Sequence, residues 1–511
     1  MLICNHCHSE NTVKKGKAFH LGEIHHRYKC KNCGTNSYTN VAQVNIPKVV
    51  HVPKLKRGRT WVITSAVSDV IVNQPFLDTL INYCKVNQAT LLVIPIKYKQ
   101  HGLAEANAEY TWDDSVKPYL IKQNTRLLEK LVLMAGININ PTIVSPLASL
   151  ESFSKGDSLI FGATQVAMKS IALSHTEGAA IVTTTGACTN PVYSESKAGC
   201  RATFNHSYSA VVIEEDLEID DFHYRVISYD KEGYIYDVDK KYCNDALIDS
   251  DSIAALVTGD THTIFADPLV TAATYSNSDS VVNILKPEQI IMHDVLDSYA
   301  ISHWHSNDLF TQFGKYKSGT NRIEEELHLT MKYLIDHVPE YSQAVVVASN
   351  HDSHLTRWMS QVKIANEPWN AETFHLLSWL MLKQTNMGNA GVEYPDAFAL
   401  WCKYRYPDSK VKFLTGFDSY RISGIEVALH GDRGSNGSRG ALAQFSKLGM
   451  KTITGHSHSP GIIGGAYAVG HSCYSRLSYN SGASSWIACH AIIHQNGKRQ
   501  LLIIKKGKWR R

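Results

Sequence analysis

Five short polar segments, each closing an apolar run of strand character, constrain this chain more than any other feature. They are Gly259-Asp260-Thr261-His262, His293-Asp294, Ser349-Asn350-His351-Asp352, His430-Gly431 and Gly455-His456-Ser457-His458. The runs they close are 253–257, 290–292, 344–348, 425–429 and 452–454, the first four rich in aliphatic residues and the last Thr-Ile-Thr. Two stretches with helical spacing lie among them, 321–337 (apolar stripe Ile323, Leu327, Leu334, Val338) and 371–383. Strands alternating with helices predict a largely parallel sheet, in which polar groups at the carboxyl ends of strands converge on one crevice. Aspartate, asparagine and histidine offer only oxygen or imidazole nitrogen donors, a set suited to two adjacent divalent cations.

In order and residue type these segments resemble the calcineurin-like metallophosphoesterase superfamily over about 253–459. The resemblance implies an α/β fold: a metallophosphoesterase sheet core flanked by helices, preceded here by a further α/β segment. It also implies roles. Asp260, His262 and His458 would hold one cation, Asn350, His430 and His456 the other, and Asp294 would bridge them. Mn²⁺ or Mg²⁺ is the expected pair, activating a water for in-line attack on phosphorus. His351 would protonate the leaving group, and Asp352 would orient its ring. His293 and Ser349 stand where the superfamily usually has glycine, which changes backbone room rather than donors.

At the other end of the chain, Cys4-x-x-Cys7 and Cys30-x-x-Cys33 have the spacing of a structural Zn²⁺ site built from four thiolates. Between them, Lys14-Lys15-Gly16-Lys17 and His26-Arg27-Tyr28-Lys29 resemble the zinc ribbons that open some bacterial transposases. That likeness implies contact with DNA; packing on the body or self-association is the alternative use of such a ribbon. Charge points to DNA as well. Residues 1–59 hold 11 Lys and Arg against 2 Asp and Glu, leaving 40 basic and 45 acidic side chains in the rest. A second basic run, Lys505 to Arg511, reads as a solvated terminus that could brush a phosphate backbone. The remaining seven of the 11 cysteines show no pairing pattern and read as reduced thiols.

A chain of 511 residues exceeds a single core. The expected division is a zinc ribbon at 1–46, a linker at 47–58, an α/β accessory domain at 59–250 and the metallophosphoesterase domain at 251–511. Within 59–250, runs 61–67 and 91–96 around helical spacing at 75–86 predict a βαβ unit. Strands are expected at 158–161 and 210–213, a hairpin at 222–238 around Asp230-Lys231-Glu232-Gly233, and an amphipathic helix at 124–134. Thr183 to Cys188 matches no phosphate-binding fingerprint and is assigned a structural or substrate-positioning role. No apolar run approaches the roughly 18 residues of a membrane span. A start directly on a Cys motif leaves no room for a signal peptide, so the expectation is a cytoplasmic protein that does not engage membranes.

Around the cation ligands, His303 and His305 are candidates to grip a phosphate, and Arg433 and Arg439 to clamp a backbone from a Gly/Ser-rich loop. Asp297 is expected to orient a neighbour, and His354 and Arg357 to lie near the cations. From residue 61 onward the chain resembles tailed-phage proteins typified by a pre-early DNase, in Leu92 to Tyr98, Thr184 to Ala187 and His293 to Asp297. That likeness implies Mn²⁺- or Mg²⁺-dependent degradation of DNA in the host cytoplasm. The expected function is therefore a two-metal DNase with a DNA-contacting ribbon. A nucleotide or phosphoprotein phosphatase is the first alternative, and a DNA-binding regulator with a vestigial metal site the second. Self-association stays open.

Overall fold

The computed structural model describes the chain apart from residues 1–3, 5, 21–22, 41–49, 52–57, 99–109, 175–177, 251, 389–390 and 394. Most of the expected linker lies outside the described residues. Contacts divide the chain into two units, Met1–Val50 and His51–Arg511.

The first unit is a three-stranded antiparallel sheet, Thr12–His20, Glu23–Cys30 and Asn36–Asn40, in sequence order. Its register pairs Lys14 with Tyr28 and Lys17 with His26, so the two basic segments lie side by side.

The second unit is mixed α/β, built on three sheets that share one apolar core. A six-stranded sheet runs Lys412–Phe413, Gln343–Val346, Gln289–Met292, Ile253–Val257, Cys489–His494, Arg499–Ile503. Its first four strands are mutually parallel. Alternation sends Ile291, Val345 and Val347 toward the shared core and Ile290, Met292 and Val346 toward helices. Burial on both faces is why these runs read as continuously apolar. The helices on the outer face include Ile323–His337 and Ala371–Gln384, close to the expected spans. Leu327, Met331 and Leu334 of the first and Leu377 and Met381 of the second pack in that layer, each burial contributing about 1.5–3 kcal/mol.

A larger mixed sheet carries Ile425–Glu426 and Lys451–Thr454, mutually parallel, together with Ser158–Phe161, Ala167–Ile171 and Ala180–Thr184 from before residue 250. Segments on either side of the expected 250/251 boundary therefore build one sheet. The third sheet contains Thr60–Val67 and Thr90–Ile96, parallel and linked by helix Gln74–Val86, which is the expected βαβ unit. Asp221–Tyr229 pairs antiparallel with Ile235–Asp237 as the expected hairpin.

Two expectations about strands and helices are corrected. The five motif strands do not share a sheet: three sit in the six-stranded sheet and two in the larger one. An apolar run records that a strand is buried, not which neighbour it pairs with. The 124–134 segment is not a helix but two antiparallel strands, Thr125–Leu128 and Leu131–Leu133. Leu131–Leu133 pairs with Ser158–Phe161, and Arg126 forms a bidentate ion pair with Asp157. Sheet completion overrode the helical leucine spacing.

The basic C-terminal run is not a solvated tail either. Lys505 pairs with Asp221, Lys508 with Glu218, Arg510 with Asp216 and Arg511 with Asp239. Its charge is spent on the body. Among the described residues, no helix is long and apolar enough to cross a membrane.

Candidate metal centre

In the N-terminal unit, Cys4 and Cys33 bring their sulfurs to 3.6 Å and Cys7 and Cys30 to 3.5 Å, with all four atoms inside 4.8 Å. Tetrahedral ligation at about 2.3 Å puts sulfurs about 3.8 Å apart, and a disulfide needs about 2.05 Å, so the cluster suits an ion and not a bridge. The knuckles are held by backbone: His8 N donates to the Cys4 carbonyl at 2.9 Å, Gly34 N to that of Cys30 at 3.0 Å. Gly34 adopts φ +74°, where a side chain would be strained.

In the second unit, the carboxyl ends of the motif strands from both sheets meet. Asp260, His262, Asp294 and His458 place donor atoms within 4.8 Å of one another, and so do Asp294, His430 and His456. Asp294 belongs to both groups. Its Oδ2 lies 3.2 Å from His430 Nε2 and 3.7 Å from His262 Nε2. Asn350 joins the second group, with Oδ1 3.1 Å from His430 Nε2. His262 and His458 turn their Nε2 atoms toward each other at 3.1 Å, and His458 Nε2 is 3.1 Å from Asp260 Oδ2. The pocket thus collects all seven residues assigned to the cations.

The donor set fits cations on chemical grounds. Asp260 and Asp294 are fully buried, yet Oδ1 of each has no hydrogen-bond partner, while Oδ2 of each faces imidazole nitrogen, His458 beside Asp260 and His430 beside Asp294. A buried carboxylate left this way costs several kcal/mol unless a positive charge faces it. Without cations, protons supply that charge. Burial alone would lower His262 and His430, but Asp297 and Asp294 around the first and Asp294 beside the second raise each to about 9. Burial pushes Asp294 upward, and the His430 and His351 charges outweigh it, holding it well below the usual carboxylate range. Burial, then the His430 charge, lowers His456.

Backbone strain marks the same place. His262, Asp294, His456 and His458 have φ of 43°, 43°, 68° and 53°. Each such non-glycine residue costs about 1–3 kcal/mol and persists where the surroundings over-determine it. Gly455 is required for a different reason: a Cβ there would lie 2.2 Å from Asp260 Oδ1 and 3.0 Å from His293 Cγ. Gly455→Ala is expected to destabilise the protein by about 1–3 kcal/mol through overpacking. It should also weaken divalent-cation binding, because Asp260 must move; calorimetric titration with Mn²⁺ beside a thermal melt checks both.

Behind the pocket, Asp297 Oδ2 accepts from His262 Nδ1 at 2.8 Å, which leaves Nε2 facing the pocket. The Asp297 carbonyl accepts from His351 Nδ1 at 2.7 Å. That bond, and not Asp352, orients the His351 ring. Asp352 instead accepts from Ser349 N at 2.9 Å at the start of helix Asp352–Gln361. Burial and the nearby Asp396 carboxylate raise its pKa well above the carboxylate range. The expected role of Asp352 as ring holder is corrected on this geometry: its carboxylate is committed to turning the chain into the helix.

Three residues of the site had no sequence signal. His490 Nδ1 accepts from Gly259 N at 3.0 Å and its Nε2 meets Thr274 Oγ1 at 2.8 Å, fixing the segment that presents Asp260. Trp486 lies edge-on to His458 at 4.0 Å between ring centroids, and His471 sits 6.0 Å from His458. Each is an isolated aromatic in the sequence, without a motif around it.

The rim contains the other candidates. His303 Nε2 is 3.1 Å from Arg357 Nη1, and its ring is 5.1 Å from His354, itself 4.9 Å from His351. These rings form a file leading outward from the pocket. His305 packs against Tyr299 at 5.3 Å instead. Arg433 and Arg439 face each other across a bridge in the loop after His430, both exposed. Gly440 closes that loop so tightly that a Cβ would strike the Gly431 carbonyl at 1.8 Å.

No family model matches the chain, and no solved structure does. Over 474 residues it is 30% identical to Protein A1 of Escherichia phage T5, covering 89% of this chain and 84% of that protein.

Proposed function

The chain belongs to the family of Protein A1 of Escherichia phage T5, and we propose that it is a metallophosphoesterase-type phosphodiesterase that hydrolyses DNA. One observation carries the reading: Asp294 is shared by two groups of metal-type donors, and the buried Oδ1 atoms of Asp260 and Asp294 lack partners. Asp260, His262 and His458 would hold one divalent cation and Asn350, His430 and His456 the other. Mn²⁺ or Mg²⁺ bound there would polarise phosphoryl oxygens and supply hydroxide near neutral pH. His351, anchored through Nδ1 and with 20% of its side chain exposed, would turn Nε2 to give a proton to the departing oxygen. Arg433 and Arg439, both exposed, would hold backbone phosphates. The phage family supports a site of action in the host cytoplasm, and the thiolate cluster with its paired basic strands supports a Zn²⁺ ribbon that contacts DNA.

The test is purified full-length protein with Mn²⁺ on supercoiled and linear DNA, beside a small phosphomonoester. Cleavage of DNA is expected; cleavage of the monoester with DNA left intact would transfer the protein to the phosphatases. Removing residues 1–46 should weaken DNA affinity and flatten its salt dependence while sparing hydrolysis of a small diester. Unaltered DNA binding after that removal would end the ribbon's assigned role.

A further inference from the structure

The file of rings that starts at His351 does not stop at His303. Trp304 follows, its ring 4.6 Å from that of His303 and its side chain 76% exposed. Helix Leu309–Ser318 comes next, capped by Asp308, which accepts from Phe310 N and Thr311 N. At 100° per residue, Leu309, Phe310, Phe313, Tyr316 and Lys317 fall within an arc of about 120°. That arc faces solvent, with Phe310 86% exposed. The opposite side is fixed: Lys315 is buried, donates from Nζ to the Tyr299 carbonyl and lies 4.3 Å over the Tyr299 ring. Such a set of exposed rings on a firmly anchored helix has no folding rationale, since leaving each ring in water forgoes its burial energy.

We propose that Trp304 and the outer face of this helix are a stacking platform for the unpaired bases of a DNA strand entering the metal pocket. This rests on the phosphodiesterase reading only for where the strand leads. Three observations favour bases over another protein surface. The exposed side chains are mainly flat rings, which stack on any base regardless of sequence. The helix carries no acidic residue after its cap, and exposed Lys317 and Arg357 flank the rings with positive charge that matches phosphates. The ring file also runs without a break from Trp304 to the pocket, through His303, His354 and His351. A strand lying on it would meet the cation ligands with its bases already splayed, so single-stranded or frayed DNA is the substrate form this surface selects.

The experiment compares the full-length protein with the Phe310→Ala/Phe313→Ala double variant, using labelled oligo-dT and a duplex with no Mn²⁺ or Mg²⁺ added and the Zn²⁺ of the N-terminal unit left in place. Affinity for oligo-dT should fall roughly ten- to a hundredfold, the scale of one or two lost base stacks. Duplex affinity and Mn²⁺-dependent hydrolysis of bis(p-nitrophenyl) phosphate should stay as they were. Phe310→Trp, which keeps a π face, should retain oligo-dT affinity. Equal oligo-dT affinity in the double variant overturns the platform, as does a loss of self-association in sedimentation with oligo-dT binding preserved, which would make the face a contact between copies. Should the unaltered protein fail to hydrolyse the small diester, the phosphodiesterase reading falls while the oligo-dT comparison still decides the platform.

Discussion

Asp294→Asn is expected to lower Mn²⁺-dependent phosphodiester hydrolysis by at least about 10³-fold, since several kcal/mol of transition-state stabilisation would pass through the cations it is proposed to join. The substitution keeps the shape of a fully buried side chain, so the fold should survive. What disappears is the one carboxylate common to both donor groups. A second readout separates loss of cations from loss of chemistry. Mn²⁺ at a hundred times its dissociation constant should stabilise the unaltered protein by about 2.7 kcal/mol, visible as a raised melting temperature. Asp294→Asn should lose most of that shift. Retention of both the rate and the shift would show that Asp294 does not lie between two cations.

Cys30→Ser should unfold the N-terminal unit and leave the rest intact. Met1–Val50 forms a unit separate from His51–Arg511, and a unit of about 50 residues buries too little apolar surface to fold unaided. The thiolate cluster must supply the missing free energy; structural Zn²⁺ in comparable peptides contributes about 10–16 kcal/mol at neutral pH. Cys30 is almost fully buried, and its loss opens the cluster from inside. The expected result is one equivalent of Zn²⁺ lost, rapid tryptic cleavage around Lys14, Lys15 and Lys17, and unchanged hydrolysis of a small diester. A variant that keeps its Zn²⁺ and resists trypsin would contradict a metal-folded ribbon.

What could be read from the chain and what could not divide along physical lines. A strand end followed by Asp, His or Asn is a local pattern, so Asp260, Asp294, Asn350 and His456 were legible one by one, and the four cysteines by spacing alone. Pairing is non-local, and nothing in the 425–429 or 452–454 runs announces that they join a different sheet from 253–257. Leu127, Leu128 and Leu131 suit a helix by spacing, yet the strand of Leu131 pairs along Ser158–Phe161 and that of Leu127 and Leu128 pairs beside it. The same holds for side chains acting at a distance. His490 carries no motif, and its contact with Gly259 N spans 231 residues. Asp352 stands next to His351 in sequence, but a helix start turns its carboxylate to Ser349 N and leaves the ring to Asp297. The tail from Lys505 to Arg511 looks free by composition because its acidic partners, from Asp216 to Asp239, lie far earlier in the chain.

Anomalous diffraction at the manganese edge from Mn²⁺-loaded crystals addresses the pocket itself. Two peaks about 3.5–4 Å apart are expected, with the Asp294 carboxylate between them, Asp260, His262 and His458 around one and Asn350, His430 and His456 around the other. A single peak, or none within reach of Asp294, would contradict a paired-cation centre and with it the hydrolytic function.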